Sequence, residues 1–198
     1  DIPGMWQAVG SVTMPDTPIL LFCQQPFTSV LGSSNLKKLR YAWVWEKTLA
    51  TGFLNARRMP MKAHEDILVF YDRLPLYNPI KSEGHKRKVI MAAHRKKCDA
   101  GEIYRKYDNY RDYSSTERYP RSVLRFKTDK QLSYLHSAQK PVALLEYLIR
   151  IYTDENDLVL DFAMGSGSCA LACRNTGRRF VGIEIDPKIY TTALNRIR

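Results

Sequence analysis

No apolar run in this chain approaches the roughly eighteen residues that a membrane-spanning helix needs, and no secretory signal pattern opens it. A cytoplasmic protein is therefore expected, with no membrane partner. Cysteine is scarce. Cys23, Cys98, Cys169 and Cys173 form no CxxC pair and no zinc-like group with histidine, which argues against a disulfide scaffold or a metal ribbon. Cys169 and Cys173, four apart on an expected helix, read as small packing residues. No internal repeat is visible, so solenoids and propellers are set aside. Acid is the other shortage: 20 Asp and Glu stand against 31 Lys and Arg, giving a formal charge of +11 and a pI near 9.6. A surplus of that size points to a polyanionic partner, most simply nucleic acid. It is also clustered, since residues 81–125 hold thirteen Lys or Arg against six Asp or Glu and so carry +7 of the +11. With 198 residues, 44% of them hydrophobic, the chain is large enough for one domain with a real core.

Along the chain, apolar spacing predicts a helix around Met5 to Val12, ended by Pro15 and Pro18. Ile19 to Phe22 is a continuous apolar run, as expected of a strand buried on both faces. Pro26 to Leu36 has helical spacing, and Leu39 to Glu46 and Ile67 to Tyr71 read as strands rich in aromatic and β-branched residues. Trp43 and Trp45 alternate with Ala42 and Val44, which puts at least one tryptophan in the core. Thr48 to Met61, with Gly52, Asn55 and Pro60, reads as a loop. From 75 to 125 apolar periodicity is weak, and tyrosines 104, 107, 110 and 113 recur among charged residues. Val142 to Ile151 is an amphipathic helix after Pro141, and Pro187 to Arg198 is a closing helix.

The most informative segment runs from residue 158 to 186. The apolar run Leu158-Val159-Leu160 ends in Asp161 and the glycine-rich turn Phe162-Ala163-Met164-Gly165-Ser166-Gly167-Ser168. A helix from Cys169 to Asn175 follows, then a second apolar run from Phe180 to Ile185 containing Glu184. Strand, loop, helix and strand in that order form the half-unit that binds a nucleoside at the carboxyl end of a parallel sheet. Glycines let the backbone come close to a ligand, and an acid at the end of the second strand can accept both ribose hydroxyls. Adenosine is the expected ligand. On these residues alone a nicotinamide dinucleotide site remains open, although DFAMGSGS is not GxGxxG, and so does a tight turn without a ligand.

His136-Ser137-Ala138-Gln139-Lys140-Pro141, followed by the helical stretch, LVLDFAMGSG and FVGIEID, resembles the S-adenosylmethionine-binding half of the amino-DNA methyltransferases. It is most similar to the subgroup whose catalytic motifs precede the cofactor motifs. PILLFCQQPFTSVL, YAWVWEKTLATGFLNA and HEDILVFY resemble the strands and loops of that family's catalytic half. The resemblance spans nearly the whole chain except roughly residues 81–118. It implies an α/β fold of the class I, Rossmann-like methyltransferase type with a small basic recognition insertion. The expected organisation is catalytic-half strands and loops over residues 1–80, the insertion over 81–125 and a cofactor-binding half over 126–198, within one domain.

The resemblance further implies S-adenosylmethionine as cofactor, held by His136, Gln139, Lys140, Pro141, Asp161, Phe162, Gly165, Ser166, Gly167 and Glu184. Asp161 would approach the cationic methionine end, or else cap the following turn, and Asp186 would cap the closing helix. Ser137 and Ala138 replace the proline and threonine usual in the HPxQKP-like element, which loosens that turn. DNA contacts are expected from Arg57, Arg58, Lys62, Lys86, Arg87, Lys88, Arg95, Lys96, Lys97, Arg105 and Arg111, with tyrosines stacking on bases or packing a subdomain. The implied partner is double-stranded DNA with a flipped target base, and a homodimer is compatible with it.

The implied reaction methylates N6 of adenine. N4 of cytosine is the runner-up, and a truncated, non-catalytic DNA- or cofactor-binding remnant is the competing reading. A role in self-protection or anti-restriction follows, in a bacterial or phage-infected cell. The family's catalytic Asp/Asn/Ser-Pro-Pro-Tyr/Phe tetrapeptide does not occur, so no catalytic residue is assigned. Asp1-Ile2-Pro3-Gly4 lacks the aromatic residue. The strand that carries this tetrapeptide would lie in mid-sheet beside the cofactor strand, and a fold without it is expected to show a gap.

Overall fold

A computed structural model describes residues 1–92, 112–129 and 139–197. They form two compact units, 1–78 with 121–198, and 79–120.

In the larger unit, helix α1 (Ile2–Val12) leads to strand β1 (Ile19–Cys23) and helix α2 (Phe27–Ser33). Strands β2 (Leu39–Thr51) and β3 (Lys62–Phe70) form a long hairpin. A four-stranded sheet has the order β1-β3-β2-β6, where β6 is Val123–Phe126. β3 is antiparallel to both β1 and β2, and β6 is parallel to β2.

The apolar run Ile67-Leu68-Val69-Phe70 places β3 at the centre of this sheet, because successive side chains point to opposite faces and both faces are covered. Ile67 and Val69 join Trp43, Trp45 and Leu124 under helix α3 (Val142–Tyr152). Leu68 and Phe70 join Cys23 and Leu31 on the other face, beneath Met5 and Trp6 of α1. Both tryptophans are core. Trp43 donates its indole N–H to Tyr152 Oη at 2.7 Å, and Trp45 donates to the Phe126 carbonyl at 3.0 Å. That satisfies the polar edge of each buried ring.

The second part of the unit is β7 (Leu158–Asp161), α4 (Ser168–Thr176), β8 (Arg179–Gly182) and α5 (Pro187–Ile197), with β7 and β8 parallel. Helix α3 unites the two sheets. Its Leu144, Leu148 and Ile151 face the four-stranded sheet, whereas Leu145 and Ile149 pack on Ala172 and Cys173 of α4. Phe22 of β1, Val159 of β7 and Phe180 of β8 reach this second cluster, so both sheets share one helical layer. Among the described residues the hydrogen-bond ladders nevertheless stop at β1 and at β7, which belong to separate sheets.

β1 packs on both faces, Leu20 and Phe22 with the α3-side cluster and Ile19, Leu21 and Cys23 with the α1-side cluster, although all but Cys23 are only partly buried. Two local expectations change. β2 runs on to Thr51 and β3 starts at Lys62, since backbone pairing of Glu46 with His64 and Thr51 with Lys62 needs no apolar side chains. Thr48 to Thr51 of the expected loop therefore belong to β2, and residues 52–61 are the turn between the strands. β8 ends at Gly182, where the Ile183 N–H turns back to the Asp161 carbonyl at 2.9 Å, which leaves Glu184 in a loop. One face of the parallel pair is bare, with Leu158, Leu160 and Val181 exposed.

In the smaller unit β4 (Lys88–Ile90) pairs antiparallel with β5 (Tyr113–Ser115). Arg118 ties the strand ends together, donating to the carbonyls of Lys86, Ser115 and Glu117. Lys81 forms an ion pair with Glu117 at 2.8 Å and lies 5.2 Å from the centre of the Tyr119 ring.

Candidate cofactor site and nucleic-acid surfaces

The glycine-rich turn after β7 is laced to the segment after β8. Met164 N–H donates to the Ile183 carbonyl at 3.0 Å, and Gly165 N–H donates to Glu184 Oε2 at 2.9 Å. The other carboxylate oxygen of Glu184 accepts the Asp186 N–H at 3.0 Å. Glu184 thus spans from the loop to the start of α5. Asp186 caps that helix, accepting the N–H groups of Lys188 at 2.8 Å and Ile189 at 3.2 Å.

Asp161 stands at the carboxyl end of β7, opposite Gly182 in the ladder. It accepts the Ala163 N–H at 3.1 Å. Burial raises its carboxyl above the ordinary aspartate value; the Ala163 hydrogen bond opposes this, and the charge of Glu184 adds to it. Two acids, one ending β7 and one in the loop just after β8, the first held at a raised pKa, make a place that favours a cation. Phe162 is half-exposed beside them, and the turn from Met164 to Ser168 is buried.

The turn is held from behind by a residue that no motif signalled. Arg196 in the last turn of α5 donates to the Ser166 carbonyl and Oγ, both at 3.2 Å, and to Ser168 Oγ at 2.8 Å. Ser166 is therefore buried against protein. Gly167 has φ +75°, and a Cβ there would lie 3.1 Å from the Ala193 Cβ, so glycine allows α5 to close on the loop.

The expected Gln139-Lys140-Pro141 element sits in front of α3, with Gln139 and Pro141 buried. Lys140 Nζ meets Glu65 Oε2 of β3 at 2.6 Å, and Lys47 Nζ of β2 meets Glu65 Oε1 at 2.7 Å. Burial works against the Glu65 charge, but the hydrogen bonds and charges of Lys140 and Lys47 outweigh it, and its pKa lies below the ordinary value. Lys140 also lies 5.2 Å from the centre of the Phe22 ring. Asp129 Oδ2 accepts the first helical N–H of α3, from Val142, at 2.8 Å. Glu65, Lys47, Asp129 and Arg196 escape a sequence reading. The one available signal is an acid heading the apolar run of β3.

Arg57, Arg58 and Lys62 are exposed on the β2–β3 hairpin. Lys86, Arg87 and Lys88 are exposed at β4, where Arg87 donates to Ser114 Oγ at 3.0 Å. His136, Arg95, Lys96, Lys97, Arg105 and Arg111 lie outside the described residues, as does most of the tyrosine series.

A family profile for DNA methylases, the N6/N4 methyltransferase family, matches residues 3–195. The type II methyltransferase M.HindIII of Haemophilus influenzae is 37% identical over 76 residues, 38% of this chain and 25% of that protein. The type II methyltransferase M2.DpnII of Streptococcus pneumoniae is 39% identical over 62 residues, 31% of this chain and 23% of that protein. The matched segments thus span about a quarter of these relatives. Among solved structures, the M1.HpyAVI–SAM complex superposes with a TM-score of 0.67 at 24% identity, over 98% of this chain and 80% of that one. The cytosine-N4-specific PvuII DNA methyltransferase gives 0.65 at 14% identity, over 100% and 70%. These likenesses establish the Rossmann-like methyltransferase fold. The chain belongs to the DNA methylase family, the amino-DNA methyltransferases.

Proposed function

We propose that this chain binds S-adenosylmethionine and serves methyl transfer to an exocyclic amine of double-stranded DNA, the N6 of adenine. The observation that carries the reading is the pair of carboxylates, Asp161 and Glu184, set around a buried loop of glycine and serine. A cationic nucleoside fits that donor set. When bound, S-adenosylmethionine supplies an electrophilic methyl group on a sulfonium. Asp161 faces its cationic end, Glu184 accepts from the ribose hydroxyls, and Phe162 provides an apolar wall. Gly165 and Gly167 bring backbone close to the ligand, while Ser166 shapes the loop through Arg196. Gln139, Lys140 and Pro141 support the site from the α3 side, and His136 belongs to the same element.

The exocyclic amine of adenine is a poor nucleophile because its lone pair is delocalised into the ring. It must be held by hydrogen-bond acceptors and stacked out of the duplex before it can attack in line. No residue here is assigned that task. Among the described residues the edges of β1 and β7 are unpaired, which supports a place for a strand between them, where the family resemblance puts the acid-Pro-Pro-aromatic tetrapeptide. The 79–120 unit, with its exposed Lys86, Arg87 and Lys88, is proposed as the target-recognition part, with Arg95, Lys96, Lys97, Arg105 and Arg111 extending it.

Calorimetric titration of S-adenosylmethionine into the 198-residue chain tests the cofactor reading, with Asp161→Ala as control. One-to-one binding that the variant loses supports it, and no binding by a folded chain overturns it. Labelled methyl transfer to duplex DNA, followed by nucleoside chromatography, tests the reaction. N6-methyladenine supports the proposed target and N4-methylcytosine replaces it. Cofactor binding without transfer favours the non-catalytic remnant.

A further inference from the structure

The tip of the β2–β3 hairpin has a composition that neither the core nor the cofactor site uses. Gly52 opens it, and its backbone closes on itself: Asn55 N–H donates to the Gly52 carbonyl at 3.0 Å, and Arg58 N–H to the Asn55 carbonyl at 2.8 Å. On this ordered turn two large apolar side chains face solvent, Phe53 at 77% and Leu54 at 98% exposure. Met59 and Leu49 beside them are exposed as well. From Lys47 to His64 there is no acid, while Arg57, Arg58 and Lys62 are exposed. The tip joins the carboxyl end of β2 to the start of β3, at the end of the long hairpin.

Exposed apolar side chains on an ordered turn, ringed by cations and free of acids, match a duplex on two counts. Phosphates take the cations, and an opened base step takes an apolar wedge. We propose that this tip is a DNA wedge, in which Phe53 and Leu54 enter the base stack while Arg57, Arg58 and Lys62 hold the flanking phosphates. The inference rests on the DNA reading given above and adds to it the element that opens the helix. It also accounts for apolar surface that burial would otherwise favour hiding.

The test uses the full chain and short duplexes of equal length, one intact and one with a central abasic site that is already unstacked. The wild type is expected to bind the abasic duplex about tenfold more tightly, since the cost of unstacking is removed there. Phe53→Ala/Leu54→Ala abolishes that preference and leaves the intact-duplex affinity and its salt dependence in place. Arg57→Ala/Arg58→Ala weakens binding to both duplexes and makes the log K against log salt slope shallower by about two. All four side chains are exposed, so the fold is not at stake, and thermal melting confirms this.

An unchanged abasic preference in Phe53→Ala/Leu54→Ala overturns the wedge while leaving the DNA reading standing. Absence of duplex binding by the wild type overturns both. Co-sedimentation with phosphatidylserine vesicles that the Phe53/Leu54 pair controls, without an effect on DNA, reassigns the tip to a lipid surface.

Discussion

Lys140 Nζ and Glu65 Oε2 stand 2.6 Å apart, and through that pair the turn in front of α3 is fastened to the middle strand of the four-stranded sheet. Lys47 holds the other oxygen at 2.7 Å. One buried carboxylate therefore serves two ammonium groups from elements far apart in the chain. Glu65 is well suited to this, since both its oxygens are used and it is largely shielded from water.

Glu65→Gln should be destabilising, because it leaves two ammonium groups with a neutral partner in a buried place. A loss of about 3 kcal/mol is expected, read as a fall in urea midpoint with an unchanged slope. Lys47→Met should cost less, since the Lys140–Glu65 pair survives. Equal losses in the two variants would count against the ranking of these contacts.

The pH dependence of stability follows from the same group. The folded pKa of Glu65 lies below its unfolded value, so its contribution is fully present above the unfolded value. It is lost as pH falls through the lowered folded value. Acid titration of the melting temperature should therefore fall more steeply in the wild type than in Glu65→Gln. Parallel curves would refute the assignment.

Asp161 behaves in the opposite sense. Its folded pKa is raised, so at neutral pH its charge is a cost to folding, and that cost is relieved as pH falls through the raised value. A bound cation needs the ionised form. S-adenosylmethionine affinity should thus decline as pH drops, beginning above the ordinary aspartate range, and calorimetry at several pH values should reveal it. Asp161→Asn should bind about tenfold or more weakly at neutral pH with little pH dependence. A wild-type affinity that ignores pH would argue that Asp161 is only a turn cap.

Arg196→Ala removes the clamp on Ser166 and Ser168 without touching the acids. Each lost charge-assisted hydrogen bond is worth about 1.5–3 kcal/mol, partly offset by exposure at the rim. A stability loss of about 2 kcal/mol, with several-fold weaker cofactor binding, is the expected result. Arg196→Lys, which keeps the charge but not the fork of donors, should recover part of it. A variant with wild-type cofactor affinity would show that the loop is rigid without the clamp.

Gly167→Ala meets two obstacles, a φ of +75° and an Ala193 Cβ 3.1 Å away. A loss of about 2 kcal/mol is expected, from backbone strain and from displacement of α5. Gly10→Ala on α1, where a Cβ meets nothing within 4 Å, serves as the control.

Contiguous pattern was enough for much of this molecule. The order strand, acid, glycine turn, helix, strand over residues 158–182 is local, and each part is written in neighbouring residues: an apolar run, a φ-positive glycine, a helical repeat. The same holds for the apolar run of β3 and for the amphipathic α3. Partners that meet only after folding were not legible. Glu65 and Lys140 are 75 residues apart, and Arg196 reaches a serine 30 residues away, so nothing near either end marks the pairing. The extension of β2 to Thr51 has the same origin: its polar end is a strand because His64 and Lys62 pair with it across the hairpin. Short-range order came from local chemistry, and the ion pairs and the loop clamp came from how the elements pack.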